Sequence, residues 1–141
     1  MQDDKRDRRV FTDLDYVRLS TLVIRDSAAS AAASSLSSIE TLLDEAQIVP
    51  SRSVAPDVVT MYSQVLVRHV DDGSVGKLTV CYPFDAEPRA GFISVLSPLG
   101  TSLIGLSLGA LATWACPDGA TRAAELEAVL FQPEASGDYV T

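Results

Sequence analysis

Residues 90–117, AGFISVLSPLGTSLIGLSLGALATWACP, run for 28 positions without an acidic or basic side chain apart from the thiol of Cys116. That length exceeds the roughly 20 residues a membrane-crossing helix needs. The interior of the run argues against a crossing. Four glycines, Pro98 and six Ser or Thr residues divide it into short apolar pieces, and each break would leave backbone groups unpaired in lipid. The run therefore reads as the core of a soluble domain: strand, short helix, strand. Its helix has a strong start, with Ser97 at the N-cap and Pro98 at the first helical position. Leu99, Leu103 and Ile104 supply an apolar face, and Gly105 is placed to stop the helix.

Upstream the periodicity is helical. Thr12 and Asp15 stand in capping-box relation, and Asp13 and Asp15 suit the positive end of a helix. Tyr16, Leu19, Leu22 and Val23 then recur at helical spacing until the pattern fails near Asp26. Leu36, Ile39, Leu42, Leu43 and Ala46 mark a second helix, with Ser37 and Glu40 as a capping box near its start and Pro50 as its stop. Two such helices of about 14 residues, each roughly 20 Å long, make a short antiparallel hairpin. Residues 49–57, with Pro50 and Pro56, read as a linker.

From Val58 the period changes to two. Strands are expected at 58–70, 77–82, 92–96, 110–116 and 123–131, with turns at Asp72-Gly73 and Pro117-Asp118-Gly119. In the last strand Glu125 and Glu127 alternate with Leu126 and Ala128, which predicts one wet and one dry face. The fold class is α+β: a helical hairpin, then an antiparallel sheet with one short helix. The expected division is a charged tail over 1–10, the hairpin over 11–49, the linker over 50–57 and one further domain over 58–141.

Charge and composition exclude several functions. The chain has 141 residues and a net charge of -8, with 47% hydrophobic residues. That apolar fraction is too high for a disordered chain, and the acidic excess opposes a phosphate-binding basic face, so direct nucleic-acid binding is not expected. The opening MQDDKRDRR is charged, with no apolar segment of a signal peptide after it. This predicts a cytoplasmic protein. Cys81 and Cys116 match neither a metal spacing nor a disulfide framework and read as two buried thiols.

Catalytic motifs are missing. No Walker loop, G-x-S-x-G, H-E-x-x-H or G-x-G-x-x-G occurs. His69, the lone histidine, precedes Asp71 and Asp72 and reads as a structural or surface residue. Asp71-Asp72-Gly73 lacks the spaced acids of a calcium loop and reads as a hairpin turn. The adjacent acids Asp44 and Glu45 diverge by about 100° on a helix and cannot share a cation. Hence no metal, cofactor or catalytic residue is expected. Trp114, Phe92, Phe131 and Tyr82 fall on expected strands, either as core or as the lining of a proline-sized pocket.

Three stretches carry a family resemblance: DEAQIVPSRSVAPDVVTMYSQV, ISVLSPLGTSLIGLSLGA and FQPEASGDYV. The S-P-x-G/A-x-x-L-I/L-G-x-x-x-G pattern, here Ser97 to Gly109, resembles the Gre transcript-cleavage factors. Asp57 to Met61 (D-V-V-T-M) and Gln132 to Tyr139 (Q-P-E-A-x-G-D-Y) are similar to the small Rnk-like branch of that family in particular. The likeness runs from about Phe11 to Tyr139.

The resemblance implies an N-terminal coiled-coil hairpin and an FKBP-like C-terminal domain. It implies a monomer that docks at the secondary channel of bacterial RNA polymerase and grips a coiled coil of the β′ subunit. The docking loop maps onto Leu96, Ser97, Pro98 and Leu99. Cleavage factors of the family carry paired acids at the hairpin tip that help hold a second Mg²⁺ in the polymerase. Here the hairpin is short, and the tip, Asp26 to Ser35, has the single acid Asp26. Both departures imply channel occupancy without transcript cleavage. A third departure is Ala110, where the family usually has Asp. Two other readings stay open: a peptidyl-prolyl isomerase with a pocket around Trp114, and a weak Gre-type cleavage factor.

Overall fold

The computed structural model describes residues 9–26, 33–116 and 118–137. Strand β1 (Val10–Thr12) leads directly into helix α1 (Asp13–Asp26), and helix α2 (Ala33–Glu45) is followed by strand β2 (Gln47–Val49). Then come β3 (Gln64–His69), β4 (Val75–Cys81), β5 (Phe92–Ser94), helix α3 (Pro98–Leu103), β6 (Leu111–Ala115) and β7 (Thr121–Phe131). The mixed α and β content expected from the periodicities is present. The uncharged run becomes β5, α3 and β6, and no helix among the described residues is long and apolar enough to cross a membrane.

Helix α1 starts as its sequence predicts, because the Thr12 hydroxyl accepts the Asp15 N–H at 3.0 Å and satisfies one otherwise free donor. Its apolar stripe buries Leu19 and Val23, and α2 buries Ile39 and Leu43 in the same cluster. The start of α2 corrects the expectation. It begins at Ala33, so Ser37 and Glu40 lie inside the helix rather than at its cap. A run of alanine and serine has enough helical propensity to extend a helix backward once its far end is packed. Segment 27–32, the middle of the expected tip, lies outside the described residues, as do the first eight residues of the expected tail and Pro117.

Two strands were not expected. β1 and β2 pair in parallel, Val10 opposite Gln47 and Thr12 opposite Val49, which brings the first residue of α1 beside the segment leaving α2. Three-residue strands carry too little alternation to be read from sequence.

The main sheet has the order β5-β4-β3-β7-β6. It is mixed rather than wholly antiparallel, because β4 and β5 run parallel with Thr79 opposite Phe92 and Cys81 opposite Ser94. The chain reaches that arrangement by crossing through two 3-10 turns, Pro83–Asp85 and Pro88–Ala90. The strand expected over 58–70 is shorter. Val58 makes an isolated bridge to Ser107, the chain turns at Thr60–Ser63, and only Gln64 onward joins the sheet. Val65, Val67, Val80, Ala124 and Leu126 are fully buried on its inner face. One cluster of buried side chains runs from Leu19 and Ile39 on the helices through Phe11 and Met61 to this face.

Candidate docking site

The expected docking loop is held rigidly. Ser97 is the N-cap of α3: its Oγ accepts the Gly100 N–H at 3.1 Å and donates to the Ser94 carbonyl at 2.6 Å. Thr101 adds a bond from its hydroxyl to the Val95 carbonyl, also at 2.6 Å. Pro98 opens the helix at its first turn and is exposed, whereas Leu96, Ser97 and Leu99 are half-buried. At Gly100 a Cβ would lie 2.0 Å from the Ser94 carbonyl oxygen, so the helix approaches β5 as closely as backbone permits. The helix ends at Ile104, and Gly105 takes the left-handed conformation, φ +81, as expected for a C-terminal stop.

The far end of α3 has a brace that sequence reading did not find. Arg9 donates to the carbonyls of Ile104 at 2.7 Å and Thr101 at 3.2 Å. These are last-turn carbonyls, and a cation there suits the negative helix end. Burial brings the Arg9 pKa down to about 10. Residues 9 and 10, expected as part of a flexible charged tail, are thus tied to the fold, and Val10 N–H also bonds the Gly105 carbonyl at 2.9 Å.

The two stretches that carry the Rnk-like likeness meet in space. Gln132 donates to the carbonyls of Ala55 and Val58 at 2.8 and 2.9 Å, and the Thr60 hydroxyl donates to Glu134 at 2.7 Å. Beside them the Asp15 carboxylate accepts the Met61 N–H at 3.0 Å, joining α1 to the same turn. Asp15 is 2% exposed, and burial pushes its pKa up to about 6. Asp138 and Tyr139 of the closing motif lie outside the described residues.

Asp26 is the last residue of α1. His69 sits in the β3–β4 hairpin with its ring edge-on to Trp114, centroids 6.0 Å apart. Asp71-Asp72-Gly73 forms the expected turn, in which Asp72 accepts both the N–H and the hydroxyl of Ser74. Among the described residues, no group of three or more His, Cys, Asp or Glu side chains is placed to hold a metal. Cys81 is buried as expected, but Cys116 is only half-buried, and neither is in a disulfide. Ala110 is buried and its methyl belongs to the core.

Neither reading of the four strand aromatics holds throughout: Tyr82 is core, Phe92 and Phe131 are not, and the alternative of a pocket around Trp114 does not form. Phe92 lies on edge strand β5 and Trp114 on the opposite edge strand β6, while Phe92 and Phe131 are exposed. This leaves the isomerase reading without its lining. A different aromatic group exists. Tyr82 stacks on Phe84, centroids 5.8 Å apart at 8°, and Tyr62 tilts against Tyr82 at 5.7 Å. With Val17 and Leu22 of α1 and with Asp85, these rings line an open cleft of about 620 Å³. The Tyr62 hydroxyl donates to Asp85, and burial and Asp85 together push its pKa up. Phe84, flanked by Pro83 and Asp85 outside any periodic segment, was a readable signal of an exposed ring; Tyr62 was not.

Similarity to known proteins agrees with this arrangement. The family model described as "Transcription elongation factor, GreA/GreB, C-term" matches residues 54–130. The "Regulator of nucleoside diphosphate kinase" of Escherichia coli strain K12 is 34% identical over 131 residues, 93% of this chain and 95% of that protein. The "Transcription elongation factor GreA" of Solidesulfovibrio magneticus is 34% identical over 71 residues, which is 50% of this chain and 43% of that protein. Among solved structures, the "Prokaryotic transcription elongation factor GreA/GreB from Nitrosomonas europaea" superposes with a TM-score of 0.73 at 30% identity, covering 88% of this chain and all of that one. The family model, its match centred on β3 to β7 and the capped helix α3, and the near full-length relative place this chain in the GreA/GreB transcription elongation factor family.

Proposed function

We propose that the chain is a transcription regulator that binds bacterial RNA polymerase at its secondary channel and does not cleave transcripts. In this reading residues 58–141 are an FKBP-like docking domain. Residues 11–49 are a short coiled-coil hairpin, and 50–57 are the linker. Leu96, Ser97, Pro98 and Leu99 contact the β′ coiled coil. The observation that carries the reading is the α3 start: a capped helix with an exposed proline, fixed from both ends, in a member of this family. A pre-ordered apolar surface loses little conformational entropy on docking.

The absence of cleavage rests on the sequence of the tip, where Asp26 is the single acid between positions 26 and 35. One carboxylate gives a metal only one anchoring ligand, whereas a catalytic Mg²⁺ needs convergent oxygens. In this reading the protein acts as a monomer in the cytoplasm, as a competitor for the channel, with no cofactor and no direct nucleic-acid contact.

Co-purification with core RNA polymerase tests the reading. The unaltered chain is expected to bind, and Pro98→Glu to bind at least tenfold more weakly with an unchanged melting temperature. Equal binding by both would put the contact elsewhere. Backtracked elongation complexes incubated with the protein are expected to keep their transcripts intact; shortened transcripts would return the chain to the cleavage factors.

A further inference from the structure

We infer that the cleft between α1 and the Tyr62–Tyr82–Phe84 rings is a second contact for the same partner. It receives a large apolar side chain of an amphipathic partner helix and sets a Lys or Arg of that helix on Asp85. The inference rests on the docking reading above and adds to it a surface, a residue set and a ligand chemistry.

Phe84 is 80% exposed and Val17 is 59% exposed, so two large apolar side chains on facing walls of one cleft stand in water. An exposed ring stacked on a buried one and facing an exposed aliphatic side chain marks an interaction site rather than ordinary surface. Tyr62 adds an independent sign. It is the one non-glycine among the described residues with a positive φ, +66. That conformation is costly for a bulky side chain and is maintained where surrounding structure requires it. It turns the Tyr62 ring against Tyr82 and its hydroxyl onto Asp85.

Topology places the cleft beside the docking loop. β4 and β5 are adjacent and parallel. Tyr82 to Asp85 leave the end of β4, and Leu96 to Pro98 follow the end of β5, so both emerge from the same end of the sheet. A partner helix laid on Pro98 therefore lies at the sheet end from which the Phe84 segment also leaves. On the other wall, Val17 and Thr21 lie one helical turn apart on α1, a ridge against which another helix packs. Asp85 is exposed, and the chain carries a net charge of -8. Arg18 lines the same cleft, so charge complementarity selects a partner base at the exposed Asp85 and not beside Arg18. An apolar anchor in a pocket with a charge at its rim is the usual form of helix-in-groove recognition.

Binding to core polymerase is measured for the unaltered chain and for Phe84→Ala, Asp85→Asn and Val75→Ala. Val75 is a control, exposed at the opposite end of β4. Phe84→Ala is expected to weaken binding about tenfold with an unchanged melting temperature, because the ring is in solvent. Asp85→Asn is expected to weaken it several-fold and to flatten its salt dependence. Val75→Ala is expected to bind like the unaltered chain. Phe84→Ala binding within twofold of the unaltered chain overturns the cleft contact and leaves the loop contact standing. Equal losses for Phe84→Ala and Val75→Ala also overturn it. If the unaltered chain binds no polymerase, the docking reading fails and this contact fails with it.

Discussion

A buried carboxylate governs the first prediction. Asp15 is charged at neutral pH inside a site that disfavours charge, and its neighbours are mixed: burial and Glu134 raise its pKa, while the Met61 N–H, Arg18 and Thr12 lower it. A folded-state value of about 6, against 3.8 for the ordinary group, means the folded chain holds this proton more tightly than the unfolded one. Its stabilising contribution is then present below pH 3.8 and is lost as pH rises through about 6. The upper bound is about 3 kcal/mol, from about 1.4 kcal/mol for each pH unit. Asp15→Asn cannot titrate. The melting temperature of the unaltered chain should therefore fall relative to Asp15→Asn between about pH 4 and 6.5 and run parallel above that; parallel curves throughout would show that the carboxylate does not couple to folding. Gly100 gives a second residue-scale test. A methyl placed 2.0 Å from the Ser94 oxygen must push α3 off β5, so Gly100→Ala is expected to cost about 1–3 kcal/mol, read by chemical denaturation.

At the scale of elements, α3 shows what local chemistry can decide. Ser97 and Pro98 start it, Gly105 stops it, and the structure places the helix where those residues predict. Ser97→Ala removes one acceptor and one donor, and is expected to cost about 1 kcal/mol, seen as a melting temperature lower by a few degrees. An unchanged value would mean water replaces both bonds. The helical stripes of α1 and α2 and the alternation in β7 were legible for the same reason: period reports which face is buried. What escaped was set by partners distant in sequence. β1 and β2 exist because the 34 residues between them return the chain to the same place, and nothing in three residues announces that. Arg9 looked like part of a charged tail, and only the end of α3 makes it a cap. The Tyr62–Phe84 cleft is assembled by a turn at Thr60–Ser63, the 3-10 turn after β4 and α1, three segments with no common period. Of the expected site, the Leu96–Leu99 loop was readable because its cap is local.

For the whole molecule the shared core matters more than the boundary between helices and sheet. Phe11, Leu19 and Ile39 on one side and Met61, Val65 and Leu126 on the other belong to one buried cluster, and the Asp15 carboxylate bonds the Met61 N–H across the same junction. Two units that bury each other's apolar surface lose stability together, because exposing either face opens the other to water. Truncation at the helix side should thus be felt in the sheet. Leu19 is fully buried, and Leu19→Ala is expected to cost about 3 kcal/mol, or roughly 10 °C in melting temperature for a chain of this size. Far-UV circular dichroism follows the helices, and fluorescence of Trp114, on edge strand β6, follows the sheet. Both transitions should shift down by the same amount and stay superimposed. If the Trp114 transition kept its original temperature while the helical signal melted earlier, the cluster would be contact without coupling. The helices would then be an independent unit, free to reorient against the sheet.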